Sequence, residues 1–133
     1  MATLEHRAHA RAFLKKAEEY LASAQDNLDL ERFTSAAGDA IHAGISAKDA
    51  IVVSLTGSTI KSKDHATAAR ELGRALGQRP GAESVTRALR ELVAAKADVE
   101  YGTDLVTRAK AAVLVRRAAA VVESATQIVR LGR

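Results

Sequence analysis

The sequence predicts an all-α fold: an antiparallel, up-and-down bundle of five helices. Apolar residues recur three and four positions apart in each long segment, and no segment alternates with the period of two that a strand requires. Aromatic residues make up only 3% of the chain and tryptophan is absent. The core must therefore be built from Ala, Leu, Val and Ile, which suits closely packed helices. Short breaks between the segments favour antiparallel neighbours.

Length and composition limit the kinds of protein to consider. At 133 residues the chain has the length of one domain, residues 1–133, and it contains no cysteine, which excludes disulfides, thiolate catalysis and cysteine-ligated metal. It has neither an apolar signal core nor an apolar run of ~18 residues, so we expect a cytoplasmic protein without a membrane partner. The net charge of +4 leans toward polyanionic partners such as RNA, although a solvated charged surface explains it at least as well.

The first helix is predicted over residues 3–28, with Thr3 as its N-cap. Its inner face is a narrow apolar seam of the bundle type. The seam residues are Leu14, Ala17, Leu21, Ala24 and Leu28. His6 and His9 lie three residues apart, but no third ligand is evident, so we interpret them as surface histidines and expect no metal site.

The second helix follows a polar break at residues 29–32 and is predicted over residues 33–55. It is apolar around much of its circumference, which indicates contacts on more than one side. Gly44 lies in its middle among alanines, where glycine costs ~1 kcal/mol relative to alanine. We therefore expect a neighbouring helix to pack very closely against Gly44.

A polar line runs along the second helix at spacings of three, four and three, formed by Asp39, His42, Ser46 and Asp49. Such a line borders a catalytic cleft or, more commonly, faces solvent or another subunit. We take Asp39, His42 and Asp49 as candidate binding residues.

Residues 57–63 form the longest loop-like segment, and Asp64 is predicted to cap a third helix over residues 65–77. His65 begins the inner face of that helix, where we expect it to be packed and hydrogen-bonded. The outer faces of the third and fourth helices carry arginines: Arg70, Arg74, Arg87 and Arg90.

The fourth helix, predicted over residues 84–101 and ended by Gly102, contains the most informative residue. Its apolar face consists of Val85, Leu89, Leu92, Val93 and Lys96. A lysine directed at a core needs a partner, because an unpaired buried ammonium is costly. Lys96 either pairs with Glu100, Asp49 or Asp39, or binds a ligand. Tyr101 either caps a neighbour with its hydroxyl or belongs to the same site.

The fifth helix is predicted over residues 104–131, with an apolar repeat at three and four. The sequence contains no glycine-rich phosphate loop, no GxSxG, no HExxH and no paired Glu-x-x-His. From the residues alone it is a basic helical bundle that oligomerises, since its second helix is apolar on so many sides.

Three segments resemble the small prokaryotic HEPN domains: residues 36–57 of the second helix, Lys-Asp-His at residues 63–65, and residues 89–102 of the fourth helix. The resemblance implies a four-helix core and a homodimer in which two fourth helices border a shared cleft. Many members are metal-independent ribonucleases with Arg-x4-6-His, and many are toxins paired with a nucleotidyltransferase-like antitoxin.

At the matching positions this chain reads Lys96-x4-Tyr101. Lysine keeps the charge without the bidentate fork of arginine, and tyrosine is a poor base at neutral pH. The resemblance thus implies Lys96 and Tyr101 as a degenerate catalytic pair, and no cofactor. From the residues themselves, the candidate binding residues are Asp39, His42, Asp49, Lys96 and Glu100. We therefore predict a toxin–antitoxin component that acts on or binds RNA or nucleotides. The alternatives are a non-catalytic dimeric binding or assembly module and a helical adaptor without a nucleic-acid role.

Overall fold

The structure is a computed structural model that describes residues 3–58 and 67–132. These residues form five helices and no strand, as the sequence predicts. The helices are α1 (Leu4–Asp29), α2 (Phe33–Thr56), α3 (Ala68–Leu76), α4 (Ala82–Tyr101) and α5 (Arg108–Val129). The predicted cap Asp64 and the inner-face residue His65 lie outside the described residues. None of the five helices is long and apolar enough to cross a membrane.

Helix α1 begins where the sequence indicates, because Thr3 and His6 form a reciprocal cap. The Thr3 hydroxyl accepts a hydrogen bond from the His6 backbone N–H at 3.1 Å, and Nδ1 of His6 accepts one from the Thr3 backbone N–H at 3.3 Å. The two bonds satisfy amide groups that a helix start otherwise leaves unpaired. They also give His6 a structural role that differs from metal binding.

Helix α5 begins four residues later than the Asp104 start that the sequence suggests, directly after Thr107. The Thr107 hydroxyl caps the helix by accepting a hydrogen bond from the Lys110 backbone N–H at 3.2 Å. The backbone N–H of Val106 donates to the hydroxyl of Thr34 on α2 at 3.0 Å, which holds the preceding residues outside the helix. Both Asp104 and Thr107 can serve as caps, and this contact with α2 favours the second.

Helix α2 is the central element and packs against all four other helices. More than half of its residues are buried, and its apolar circumference is therefore covered within one chain. A Cβ atom placed on Gly44 would lie 2.5 Å from Cδ1 of the fully buried Leu92 on α4, which confirms the close helix contact expected at this glycine. Any dimer must consequently use another surface than the core face of α2.

Candidate functional site

A group of polar and aromatic side chains links α1 to α2 and α2 to α4, towards the C-terminal end of α4. We call it the Lys96 cluster; its members are Tyr20, His42, Lys96, Glu100 and Tyr101. Helix α4 contributes three of them because residues four apart lie one above the other on a helix, and Tyr101 ends the same turn. Helices α1 and α2 contribute one aromatic side chain each.

The centre of the cluster is the ion pair between Lys96 and Glu100. Nζ of Lys96 lies 2.5 Å from Oε2 of Glu100, and the two side chains are only 18% and 22% exposed. The hydrogen bond from Glu100 raises the pKa of Lys96 above its ordinary value, with burial acting in the opposite direction and the charge of Glu100 adding to the rise. Lys96 therefore stays charged at neutral pH, and its charge is balanced by the carboxylate one turn away.

His42 reaches the other oxygen of Glu100 from α2. Its Nε2 atom lies 3.3 Å from Oε1 of Glu100, and its side chain is 44% exposed. Oε1 is shielded from solvent and accepts no hydrogen bond from any residue that the structure describes. The ring of His42 stacks on Tyr20 of α1, with centroids 5.3 Å apart and planes at 30°. The imidazole is thus held against one carboxylate and one aromatic ring while part of it remains open to solvent.

Tyr101 forms the exposed edge of the cluster. Its ring centroid lies 5.6 Å from Nζ of Lys96, within the range of a cation–π contact, and the residue is 77% exposed. Its hydroxyl makes no hydrogen bond within residues 3–58 and 67–132. The accessible surface that Tyr101 offers is therefore the flat aromatic ring, beside a lysine.

The polar line predicted on α2 is divided among different neighbours. Asp39 accepts hydrogen bonds from Ser23 Oγ at 2.7 Å and Asn27 Nδ2 at 3.0 Å on α1. Asp49 lies 3.0 Å from Nζ of Lys48. The structure thus brings His42 together with the α4 residues, whereas the carboxylates of Asp39 and Asp49 bind other groups than Lys96.

A more deeply buried lysine, Lys48, is absent from the sequence-based candidates. Its side chain is 5% exposed, and Nζ lies 3.0 Å from both Asp49 Oδ1 and Glu71 Oε2 on α3. Thr67 donates a hydrogen bond of 3.1 Å to the other oxygen of Glu71. The same reasoning that singled out Lys96 would have found Lys48, because both lysines interrupt apolar helix faces.

The Lys96 cluster combines three chemical capacities. The Lys96 ammonium attracts an anion, the His42 imidazole has a nitrogen that can take up or release a proton, and the Tyr101 ring can stack on a planar group. No group of three His, Asp or Glu side chains in the described ranges is arranged to hold a metal ion. The chemistry that these side chains themselves offer is electrostatic attraction, proton transfer and stacking.

A model of the HEPN domain family matches residues 10–128, which include all of α2, α3 and α4 and most of α1 and α5. The chain belongs to the HEPN-domain family. Its all-α bundle agrees with that membership. No curated protein matched the sequence.

In this HEPN domain, the position that the resemblance assigns to the family's histidine is occupied by Tyr101. A different histidine, His42, reaches the same group of side chains from α2 through Glu100. The sequence identified His42 only as a member of a polar line, because its distance from α4 depends on how the two helices are packed. Tyr20 was not identified at all, since a partly buried tyrosine on an amphipathic helix resembles an ordinary core residue.

Proposed function

We propose that this HEPN protein acts on or binds RNA or nucleotides as one component of a toxin–antitoxin pair, and that the Lys96 cluster is the contacting site. The observation that carries the proposal is that a charged lysine and a half-exposed histidine contact the same carboxylate, and that an exposed tyrosine ring lies beside the lysine. Lys96 would attract a phosphate, and Tyr101 would stack on a base, which contributes about 1–3 kcal/mol per stacked base in single-strand binders.

A phosphate that approaches Lys96 competes with Glu100 for the ammonium. When Lys96 turns to the phosphate, Glu100 loses its partner and faces Nε2 of His42, 3.3 Å from Oε1. His42 then remains as the neighbour of that carboxylate.

A salt titration with a labelled single-stranded RNA tests the site. Lys96→Met should weaken binding and lower the slope of log affinity against log salt by about 0.7, the value for one phosphate contact. Lys15→Met is the matched control, because Lys15 is an exposed lysine on α1. If Lys96→Met bound RNA as well per folded molecule as the Lys15→Met control, Lys96 would not be a ligand residue.

Growth on expression tests the biological part of the proposal. Expression of the wild-type chain should arrest growth, and Lys96→Ala should relieve the arrest. His42→Ala separates binding from chemistry: if the imidazole moves a proton in RNA cleavage, this variant should lose cleavage while it keeps RNA affinity at neutral pH. Normal growth with the wild-type chain expressed alone and folded would contradict the toxin assignment.

The second candidate is a non-catalytic, dimeric binding or assembly module, favoured by one specific observation. The charge of Lys96 is already balanced by Glu100 at 2.5 Å, as in a structural ion pair. The exposed apolar residues Tyr101 and Leu105 near the end of α4 offer a surface for a second copy. Light scattering at micromolar concentration should give about twice 14.1 kDa. A monomer would contradict both the module and the shared cleft.

A further inference from the structure

The outer side of α3, α4 and the turn between them carries five exposed arginines, which we call the arginine surface. Its members are Arg70 and Arg74 on α3, Arg79 in the turn, and Arg87 and Arg90 on α4. The surface lies within 21 consecutive residues of a chain whose total net charge is +4.

The arginines of each helix point away from the core. On α3 the buried residues are Ala68, Ala69, Leu72 and Leu76. Arg70 and Arg74 lie one helical turn apart on the opposite side. On α4, Arg87 and Arg90 are likewise exposed next to the buried Ala88 and Leu89.

The two arginine pairs belong to one continuous surface. A Cβ atom on Gly73 of α3 would lie 3.7 Å from Cγ2 of Thr86 on α4, so the two helices are in side-by-side contact there. The helices run in opposite directions from the short turn that joins them. Arg90 lies one turn beyond Thr86, and Arg70 lies about one turn before Gly73. The two arginines are therefore at the same level along the paired helices.

Four of the five arginines on this surface have no ion-pair partner among the described residues. Arg108, Arg117 and Arg130 each form an ion pair with a glutamate. In contrast, no arginine on α3 or α4 forms an ion pair with any part of the chain that the structure describes. These arginines are Arg70, Arg74, Arg87 and Arg90.

The nearby glutamates have partners elsewhere, apart from Glu83. Glu71 is bound to the buried Lys48, and Glu91 to Arg117 on α5. Beside the turn, a depression of about 500 Å³ is lined by side chains of both charges and a hydroxyl: Arg79, Glu83, Ser84 and Arg87.

The chemistry of the surface fits a chain of phosphates better than a protein. Arginine is frequent in protein interfaces too, but such an interface also has a core of apolar and aromatic anchors, and the surface has none among its described residues. The large exposed apolar side chains all lie elsewhere: Leu4, Leu30, Tyr101, Leu105 and Leu131. Guanidinium groups match phosphate oxygens in a bidentate manner, and a sugar–phosphate backbone needs no apolar anchor.

We infer that the arginine surface binds the sugar–phosphate backbone of RNA. Arg90 and Lys96 are six residues apart and thus about 120° apart around α4, so this surface and the Lys96 cluster face different directions. The inference deepens the proposed function, and it rests on RNA being the ligand. The arginines hold the strand by its backbone, independently of the contact made at Lys96.

The test measures the salt dependence of binding to a fluorescein-labelled single-stranded RNA of about 20 nucleotides. The variants are Arg70→Gln with Arg74→Gln, and Arg87→Gln with Arg90→Gln. The matched control is Arg7→Gln with Arg11→Gln, which removes the same charge from two exposed arginines four residues apart on α1. Each test pair should weaken binding at low salt at least tenfold and lower the log–log slope by about 1.4, that is about 0.7 per phosphate. The control should change the slope by less than half as much.

Lys96→Met is measured in parallel, so that a failure of the arginine surface can be distinguished from a failure of the proposed function. Equal effects of the test and control pairs would overturn the inference, since net charge alone would then explain the binding. Loss of binding in Lys96→Met with both arginine pairs unaffected would overturn it and leave the proposed function intact. A wild-type chain that binds no RNA would overturn both. Displacement of the RNA by polyglutamate as readily as by unlabelled RNA would indicate an acidic protein as the partner and also overturn it.

Discussion

Gly44 of α2 lies so close to Leu92 of α4 that a Cβ atom on the glycine would be 2.5 Å from Cδ1 of the leucine. Both residues are buried, and Leu92 has no exposed surface into which it could move. The glycine therefore sets the distance between the helices that carry His42 and Lys96. A change at Gly44 affects the core first and the Lys96 cluster through it.

Gly44→Leu should overpack this contact and lower the free energy of unfolding by about 1–3 kcal/mol, measured by urea denaturation. Gly38→Ala in the same helix is the control, because a Cβ there meets only Val99 Cγ1 at 4.0 Å. The control should keep or raise stability, since alanine favours helix by up to ~1 kcal/mol over glycine. An unchanged or higher melting temperature for Gly44→Leu would mean that α4 can move away at no cost.

A double-mutant cycle on Lys96 and Glu100 should reveal a favourable coupling between them. Their side chains are about one-fifth exposed, between the limits of a surface pair and a fully buried pair. We expect Lys96→Met alone to lower the free energy of unfolding by about 2 kcal/mol, and the variant that also carries Glu100→Gln to recover part of that loss. Additive losses, with no coupling, would show that the two side chains stabilise the fold independently.

The raised pKa of Lys96 predicts the sign of a pH effect. The hydrogen bond and charge of Glu100 raise the pKa of Lys96 in the folded state above the value of about 10.4 in the unfolded chain. The stabilisation is therefore complete below about pH 10.4 and is lost as the pH rises through the folded pKa. The difference in unfolding free energy between wild type and Lys96→Met should be constant near neutrality and shrink above about pH 10.4. A difference that grows with rising pH would contradict the assignment.

The fold was predictable because its signals are local. Apolar spacing determines which face of each helix is buried, and the interruption of α2 by Gly44 indicated a close neighbour before that neighbour was known. The start of α5 was not predictable in this way. Asp104 and Thr107 are both good caps, and the bond that decides between them is donated by the Val106 N–H to Thr34, which lies 72 residues before Val106.

The candidate site, too, was predictable from the sequence only where its contacts are local. The pair Lys96–Glu100 follows from a spacing of four on one helix, and it was among the partners considered. The contacts of His42 with Glu100 and with Tyr20 depend on how α1, α2 and α4 are rotated against one another. A sequence pattern gives the face of a helix but not this relative rotation, so the histidine's partners emerged only from the structure.

Lys48 gives the sharpest stability prediction because its side chain is 5% exposed and lies 3.0 Å from two carboxylates, Asp49 and Glu71. It connects α2 to α3, and Thr67 fixes the Glu71 carboxylate at 3.1 Å. Lys48→Met keeps most of the side-chain volume but leaves two carboxylates without their lysine. We expect the free energy of unfolding to fall by about 3 kcal/mol or more.

Arg117→Met is the control for Lys48→Met, because Arg117 and Glu91 form a pair in which both side chains are 42% exposed. An exposed pair of this kind contributes about 0–1 kcal/mol, so the control should unfold close to the wild type in urea. The contrast isolates the effect of burial, since both variants replace a cation by methionine next to a glutamate. Equal, small losses in the two variants would mean that solvent or neighbouring side chains compensate the carboxylates around Lys48, and the buried-pair argument would then be wrong for this protein.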